Sequence, residues 1–371
     1  MEERELKKLY RKFLAFHKKR FLEDASLWVG VENLHLSKNQ LEAVFENYER
    51  DSYLIFARKV RCVLQSPNAF QYAVAFSTEQ WGLERYLVFL TKEGCIRISR
   101  NGRVTCQNKS FEKLFVEPMS REQARVRVQK KLRRKLQLAD PVTSLFPLEL
   151  EAKYDQMPIS VSSALFLVEK ITEYIPLKKK FLFVGDDDFV SVFLTMANPE
   201  MEALVIDIDE DLLSRISKLA KKYELKIETR RVDLRKKQKL GGRFTGFLVN
   251  PAYNFEGVKQ FVSFGLSQLA EDGGSVFVEI GDEAIGNRFL FLQEFFAQKG
   301  LRVREVAPGN ISYPWVQLHE EDAILAERLG RFVSREAIEK APKLASSLWV
   351  FDRIPFEVKH VAMKGSIYSY I

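Results

Sequence analysis

Three consecutive aspartates, Asp186, Asp187 and Asp188, follow Gly185 at a place where a nucleotide-binding turn usually carries several glycines. The residues before them, Lys180–Val184, predict a buried strand, and residues 189–196 predict the start of a helix. A turn between the strand and helix of a βαβ unit is where open α/β sheets bind their ligands. Carboxylates in such a turn suit a cation as well as a nucleotide.

Three further polar groups come at the ends of predicted strands. Asp207 closes one strand, and an acid there accepts hydrogen bonds from ribose hydroxyls. Asp233 follows the next strand, at a position where an acid commonly contacts the amino group of an adenine. Asn250 and Tyr253 follow the strand after that, and they offer an amide oxygen and an aromatic ring to a substrate nitrogen. All of these groups therefore fall where open α/β sheets bind ligands.

Each group also has a purely structural interpretation. Carboxylates are stabilised at a helix N-terminus, so residues 186–188 could simply cap the helix that follows. One capping aspartate is ordinary, but three in a row repel one another, which favours a ligand site. Asp233 is equally well interpreted as a turn residue. The sequence Asn250-Pro251 could be a loop breaker, although the nearby Tyr253 favours a binding role.

The elements that must position these residues are predicted from alternating strand and helix patterns, which begin at about Pro158. This rhythm predicts a doubly wound, Rossmann-like α/β domain. A final apolar run, Ser346–Ile354, predicts a last strand that runs antiparallel to the others. The remaining predicted strands are 180–184, 203–207, 226–232, 244–249, 274–280 and 302–307. The predicted helices are 160–174, 188–196, 210–223, 255–269 and 287–299.

The N-terminal part has a different pattern. Its first fifty residues are helical in character, and short strands are predicted at 86–90, 95–98 and 104–106. Asn101-Gly102 between the last two is a strong hairpin signal. A small α+β domain of winged-helix type fits this pattern. The expected division is an N-terminal α+β domain (1–118), a basic connecting helix or linker (119–147) and a Rossmann-like domain (148–371).

The formal net charge of +8 is unevenly distributed along the chain. Residues 1–150 hold 28 Lys+Arg and 18 Asp+Glu (+10), and the remainder holds 30 and 32 (−2). Eight of the fifteen residues in Arg121–Lys135 are basic, which predicts either a nucleic-acid-binding helix or a solvated connecting helix. A charge run alone favours the second interpretation, so we do not expect nucleic acid as a partner.

Several classes of protein are not supported by the sequence. No apolar run has the length of a transmembrane helix, and the charged N-terminus does not resemble a signal peptide. The three cysteines have no CxxC spacing, and the four histidines are scattered. No P-loop or GxSxG motif is present. We therefore expect a cytoplasmic protein without a membrane partner or a metal site.

Four segments resemble the branched-chain polyamine synthases in their order and spacing. The family consists of aminopropyltransferases that make N-bis(aminopropyl)spermidine in thermophiles. The segments are GDDD (185–188), VIDIDE (205–210), VDLRK (232–236) and NPAYN (250–254). Two more segments match, namely residues 154–156 and 343–354, so the resemblance covers roughly residues 148–355. The family usually has Asp-Pro-Pro where this chain has Asn250-Pro251-Ala252, and this departure argues against a base in that loop.

The resemblance implies an activity. Decarboxylated S-adenosylmethionine gives its aminopropyl group to the secondary amine of spermidine, methylthioadenosine leaves, and a second round can follow at the same nitrogen. No metal or redox cofactor is implied. The resemblance also implies that Asp187 and Asp188 contact the acceptor nitrogen, one of them relaying its proton, while Asp186 orders the turn or the nucleoside. The implied donor-binding residues are Asp207 for the ribose, Asp233 for the adenine, and Tyr154, Asp155 and Gln156 as a cover.

The expected amine pocket is less specific. Glu279, Asp282 and Glu283 follow the fifth strand and are expected, from position alone, to bind the amine tails. Aromatic faces suit cationic products, which makes Tyr253, Tyr313 and Trp315 candidates for the pocket wall. An aromatic content of 12% is compatible with a homodimer.

Two other functions remain open at this point. One is a methyltransferase that uses S-adenosylmethionine, because Asn-Pro-x-Tyr after a fourth strand can hold an exocyclic amine of a nucleic-acid base. The three aspartates weigh against it, since they would repel a phosphate backbone. The other is a non-catalytic regulator, in which the N-terminal domain binds DNA and the α/β domain senses a polyamine.

Overall fold

The fold is that of a computed structural model, which describes residues 3–29, 37–65, 80–107, 111, 113–148, 156–236, 238–241, 243–315 and 320–359. The chain divides into two compact units. One consists of residues 1–115 together with 354–371, and the other is Val116–Arg353. None of the described helices combines the length and the apolar composition that crossing a membrane requires.

The larger unit is built on one seven-stranded sheet. The strands are β3 (Lys180–Val184), β4 (Glu202–Asp207), β5 (Ile227–Arg231), β6 (Gly246–Val249), β7 (Gly274–Ile280), β8 (Leu301–Tyr313) and β9 (Leu344–Arg353). Their order in the sheet is β5-β4-β3-β6-β7-β9-β8. The first five strands along this order are parallel, whereas β9 runs antiparallel between β7 and β8. This arrangement confirms the predicted α/β class, including the antiparallel last strand.

Helices cover both faces of the sheet, which explains why its central strands are continuous apolar runs. Along β3, Phe181 and Phe183 join one hydrophobic core while Leu182 and Val184 join the other. All seven residues of β7 are buried. The helices of this unit are α5 (Arg121–Leu132), α6 (Val161–Tyr174), α7 (Val190–Ala197), α8 (Glu210–Lys222), α9 (Phe255–Gln268), α10 (Asp282–Ile285), α11 (Phe289–Gln298), α12 (Glu320–Leu329) and α13 (Arg335–Lys340).

The basic helix α5 is part of the larger unit, which differs from the expected connecting helix. Its Ala124 and Val128 are buried in the same core as residues of α6 and α7, so an apolar stripe fixes the helix in place. The unit boundary falls between Phe115 and Val116 instead of at residues 118 and 147, and residues from Ile354 onward join the N-terminal unit.

The described residues of the smaller unit form four α-helices, a short π-helix (Phe45–Glu49) and one hairpin. The helices are α1 (Glu3–Val29), α2 (Lys38–Val44), α3 (Tyr53–Gln65) and α4 (Gln80–Lys92), and the hairpin joins β1 (Ile96–Ile98) to β2 (Val104–Cys106). The hairpin confirms the Asn-Gly turn signal, whereas the strand expected at 86–90 is wrong because these residues lie in α4. Tyr86, Phe89 and Leu90 are buried and Val88 is exposed, which is a helical spacing. The winged-helix assignment stays a prediction.

Candidate active site

The carboxyl ends of β3, β4, β6 and β7 lie side by side along one edge of the sheet. Val184 pairs with Ile206 on one side and with Val249 on the other, and Val249 pairs with Val278. The aspartate turn, Asp207, Asn250 and Glu279 follow directly on these paired residues. The register therefore places the predicted polar groups along one edge.

The turn after β3 has an unusual backbone. Gly185 has a φ of +80° and Phe189 a φ of +53°, both in the left-handed region. Glycine adopts this region freely, but a bulky residue does so only when its surroundings hold it there. The ring of Phe189 is fully buried and lies 5.5 Å from that of Phe146. Core packing at Phe189 thus fixes the direction in which the three preceding carboxylates point.

Asp186 is the aspartate that caps the helix. Its carboxylate accepts a hydrogen bond from the backbone amide of Ser191, with N–O distances of 3.4 and 3.2 Å to the two oxygens. The side chain is buried, and burial raises the pKa of this carboxyl well above its ordinary value, while the Ser191 contact acts in the opposite direction. The structural interpretation of the turn therefore applies to one of its three aspartates.

Asp188 is held by neutral donors on both oxygens. The amide of Ile159 donates to Oδ1 at 2.9 Å, and Nδ2 of Asn250 donates to Oδ2 at 3.0 Å. Nδ2 of Asn250 also lies 3.4 Å from the hydroxyl of Tyr313. Asp188 is buried, and its pKa is raised by burial and then by the charge of Asp187. The side-chain nitrogen of Asn250 thus orients the carboxylate of Asp188, while the amide oxygen of Asn250 is directed away from that carboxylate.

Asp187 is the half-buried member of the three, whereas the exposed fraction of each of the other two is 3%. Burial, followed by the charges of Asp207 and Glu279, raises the pKa of Asp187 to about 8. Among the described residues, no lysine or arginine forms an ion pair with any carboxylate of the turn. Asp187 is therefore the turn carboxylate that is open to a ligand, and a cation would favour its charged form.

Tyrosines and an enclosed glutamate form the other side of the site. The hydroxyls of Tyr253 and Tyr313 are 2.7 Å apart, and Tyr313 donates a hydrogen bond to Glu279 Oε1. Tyr253 and Ser346 reach the same oxygen at 3.2 and 2.9 Å. Burial raises the pKa of both phenols well above the ordinary value, with the charge of Glu279 as the next cause, so both remain neutral donors.

The ring of Tyr253 lies directly on the backbone of Gly281. A Cβ at position 281 would come within 3.0 Å of three of its ring atoms, closer than real contacts allow. Gly281 follows β7, immediately after the strand that carries Glu279. The absence of a side chain at Gly281 therefore allows the tyrosine to reach the glutamate.

The residues predicted to bind the nucleoside lie at the ends of β4 and β5. Asp207 Oδ1 accepts a hydrogen bond from the amide of Asp209 at 2.9 Å, and burial raises the pKa of Asp207 to about 6. Asp209 caps α8 and accepts a bond from Nε2 of Gln156 at 2.8 Å. Asp233 is paired through both oxygens with Arg235 at 2.8 Å, which lowers the pKa of Asp233 to about 2. Its carboxylate is thus shared with an arginine of the same turn.

Some expected site residues lie beyond this description. Tyr154 and Asp155 are outside the described residues, and Asp282 and Glu283 are described only as the first two positions of α10. Gly281 and Ser346 were not predicted as site residues. A glycine directly after a buried strand is a signal that could have pointed to Gly281. Ser346 gives no such signal, because it is 67 positions away from Glu279 in the sequence.

We predict that replacing Asp187 by Asn stabilises the protein in a pH-dependent way. A carboxyl whose pKa rises from about 3.9 in the unfolded chain to about 8 in the fold favours folding when protonated. That contribution is present below pH ~4 and is lost as the pH rises towards 8. The neutral amide avoids this loss, so the free energy of unfolding of Asp187→Asn should exceed that of the wild type by about 1–3 kcal/mol at pH 8. This is less than the full pKa shift would give, because solvent screens the half-buried carboxylate.

Thermal unfolding of both proteins at pH 5 and pH 9 measures this effect. The unfolding temperature of the variant should exceed that of the wild type at pH 9, and the difference should shrink at pH 5. An equal difference at both values would contradict the assigned pKa. Asp272→Asn is the matched control, since Asp272 precedes β7 at the opposite edge of the sheet.

The strand order, the reversed β9 and the polar groups at the carboxyl edge define a class of protein. The larger unit is a Rossmann-like α/β domain of the type found in methyltransferases and spermidine synthases. Within this class the chain belongs to the branched-chain polyamine synthase family: residues 147–334, about half of the chain, match the family described as the branched-chain polyamine synthase A C-terminal domain.

Two curated relatives come from Methanocaldococcus jannaschii. An uncharacterized protein is 31% identical over 155 residues, which are 41% of this chain and 39% of that protein. The N(4)-bis(aminopropyl)spermidine synthase is 35% identical over 94 residues, which are 24% of this chain and 27% of that protein. The matched region thus spans less than half the length of each relative.

A solved structure aligns over almost the whole chain. It is the branched-chain polyamine synthase C9 mutein from Thermus thermophilus, in complex with N4-aminopropylspermidine and 5'-methylthioadenosine. The alignment covers 95% of this chain and 97% of that chain, at 17% identity and a TM-score of 0.49.

Proposed function

We propose that this protein transfers the aminopropyl group of decarboxylated S-adenosylmethionine to the secondary amine of spermidine. The products are methylthioadenosine and N4-aminopropylspermidine, which a second round converts into N4-bis(aminopropyl)spermidine. Membership of the family supports this activity. The observation that carries the proposal is a set of three carboxylates, the half-buried Asp187 and the buried Asp188 and Glu279. They form no ion pair within the described part of the chain, and in this proposal they lie beside the nucleoside edge.

The charges of the two substrates fit these carboxylates. The donor carries a sulfonium and a free ammonium group, and the acceptor is a polycation. Buried carboxylates attract both, and the attraction is stronger in a poorly solvated site than in water. The transferable group resides on the donor, so the proposed reaction needs no further cofactor.

The reaction begins with removal of a proton. The protonated secondary amine gives its proton to Asp187, and the free electron pair then attacks the carbon bonded to sulfur. The carbon–sulfur bond breaks with its electron pair going to sulfur, which turns the sulfonium into a neutral thioether. Alignment of nitrogen, carbon and sulfur supplies much of the acceleration. Asp187 takes the proton in this scheme because Asp186 is used as a cap and Asp188 is held by two neutral donors.

The other predicted residues receive roles around this centre. Asp188 faces the acceptor nitrogen and holds Asn250, while Asp186 and Gly185 shape the turn. On the donor side, Asp207 binds the ribose. Asp233 binds the adenine amino group, at the expense of part of its pairing with Arg235. The proposed cover over the donor consists of Tyr154, Asp155 and Gln156, of which Gln156 is tied to Asp209.

The amine side is proposed to be lined by Asn250, Tyr253 and Glu279. The amide oxygen of Asn250 accepts a hydrogen bond from a substrate N–H, because its nitrogen is directed at Asp188. The faces of Tyr253 and Tyr313 favour ammonium groups. Asp282 and Glu283, the first two positions of α10, are proposed from their place in the chain after β7 to bind the amine tails.

A methyltransferase of nucleic acid is not favoured. Intact S-adenosylmethionine carries a carboxylate that the decarboxylated donor lacks, and Asp187 and Glu279 would repel it in an enclosed site. The same groups would repel the phosphates of a nucleic acid. A homodimer and a cytoplasmic location stay predictions.

Mass spectrometry of the products tests the proposal. Purified protein is incubated with spermidine and either decarboxylated or intact S-adenosylmethionine. We expect the mass of spermidine to increase by one and then two aminopropyl groups with the decarboxylated donor, together with release of methylthioadenosine. Gain of a methyl group with the intact donor would support the methyltransferase instead. No mass change with either donor would support the non-catalytic regulator.

A further inference from the structure

Glu279 is the most enclosed carboxylate of the site, with an exposed fraction of 0%. Its two oxygens have very different surroundings. Oε1 accepts hydrogen bonds from the hydroxyls of Tyr253, Tyr313 and Ser346. Oε2 is buried and has no hydrogen-bond partner among the described residues. One oxygen is thus saturated by the protein, whereas the other is enclosed without a partner among the described residues.

An enclosed carboxylate oxygen without a partner is costly, so it calls for either a proton or a cation. Burial raises the pKa of Glu279 to about 6, while the three hydroxyls act in the opposite direction. At neutral pH the carboxyl of Glu279 is therefore mostly charged, so a cation is needed to compensate its charge. Within the described part of the chain, no lysine or arginine side chain forms an ion pair with Glu279.

The surroundings of Glu279 favour an organic ammonium over a metal ion. No group of three or more His, Cys, Asp or Glu side chains in the described residues could hold a metal. The two phenol hydroxyls that converge on the glutamate both reach Oε1, so they leave Oε2 to a donor from a ligand. A primary ammonium carries three N–H donors, so it can bind an oxygen directly, as a quaternary ammonium cannot.

We infer that Glu279 Oε2 binds a terminal primary ammonium of the polyamine and thereby decides which nitrogen lies at Asp187. The inference rests on the proposed function, because it takes a polyamine as the acceptor. Anchoring one end of the acceptor places the secondary amine one carbon arm away. The charge of Glu279 acts on both Asp187 and Asp188, so the three carboxylates belong to one site. Acceptors without that terminal amine would lack the anchor.

Two acceptor analogues test this role, each with one terminal amino group of spermidine replaced by hydrogen. In the wild type, kcat/KM for one of the two analogues should fall by about 30-fold or more relative to spermidine, because a buried charge loses its partner. In the Glu279→Gln variant this ratio should fall to near one. Spermidine itself should show a raised KM with a smaller change in kcat. The matched control is Glu294→Gln, since Glu294 is an exposed residue of α11.

Binding of spermidine and both analogues, measured by calorimetry, separates this inference from the proposed reaction. If the wild type discriminates between the amines in binding and Glu279→Gln does not, the ammonium site stands even where no transfer is detected. If transfer occurs and Glu279→Gln keeps the wild-type ratio for both analogues, the ammonium site is wrong while the reaction stands. If Glu279→Gln bound spermidine more weakly only because it unfolds, its melting curve would show this, and binding of all three amines would fall equally. Equal losses for the three amines would also contradict the inference.

Discussion

Replacing Asp187 by Asn is expected to reduce kcat for aminopropyl transfer about 10²- to 10⁴-fold, the usual contribution of a positioned base. The substitution keeps the size of the side chain and removes its ability to accept a proton. The fold should survive, because neither of the two structural tasks of the turn depends on this residue. Asp186 caps α7, and Asp188 holds Ile159 and Asn250. Steady-state kinetics with spermidine and decarboxylated S-adenosylmethionine measures the loss.

The pH dependence of the rate distinguishes loss of the base from distortion of the site. Without Asp187 the proton must leave to solvent, so the rate of the variant should rise steadily with pH as more of the amine is free. In the wild type the rate should rise with pH and then level off once Asp187 is ionised. Bound cations favour the ionised form, so this point should lie below the pKa of about 8 found without substrate. Asp272→Asn serves as the control. Full turnover by both Asp187→Asn and Asp188→Asn would contradict the mechanism.

The buried central strands of the larger unit could be predicted because they are short apolar runs bounded by polar residues. The predicted strand at 180–184 has the observed bounds, and the run at 346–354 is the antiparallel β9 (Leu344–Arg353). The order of β7, β9 and β8 could not be predicted, because it depends on which strand edge each run pairs with. Periodicity determines which face of a strand is buried, but it does not identify its neighbour.

The strand expected at 86–90 shows the limit of reasoning from short apolar runs. Five apolar residues fit a buried strand and one side of a helix equally well. Burial of Tyr86, Phe89 and Leu90 in α4 depends on neighbouring helices, which are distant in the sequence. Tertiary packing therefore decides an assignment that the local pattern leaves open.

The different roles of the three aspartates also depend on distant residues. The sequence indicates that three carboxylates are too many for a cap, and among the described contacts it is Asp186 that accepts from an amide of α7. A ligand-binding role for Asp187 and Asp188 stays a prediction. The sequence cannot assign the cap to Asp186, because that depends on which carboxylate reaches the amide of Ser191. Nor can it show that Asn250 orients Asp188, since 62 positions separate the two residues. Such roles follow from the register of the sheet.

Replacing Gly281 by Ala should affect the acceptor side of the site without touching the donor side. The new Cβ would meet the ring of Tyr253 within 3.0 Å, so the ring must move away from Tyr313 and Glu279. We expect kcat/KM for spermidine to fall about 10- to 100-fold, as for loss of about 1.4–2.7 kcal/mol of binding. The KM for the donor should change little. Overpacking should also cost about 1–3 kcal/mol of stability.

A second substitution tests whether the clash with Tyr253 is the cause. In the Tyr253→Ala background the ring is absent, so adding Gly281→Ala should cost almost no further stability or activity. This strong non-additivity is expected only for residues in direct contact. Gly330→Ala is the matched control, because its Cβ would meet no atom closer than 3.2 Å. If Gly281→Ala were equally harmful with and without the tyrosine ring, its effect would lie in the backbone after β7. The contact between Gly281 and Tyr253 would then not be what holds the phenol against Glu279.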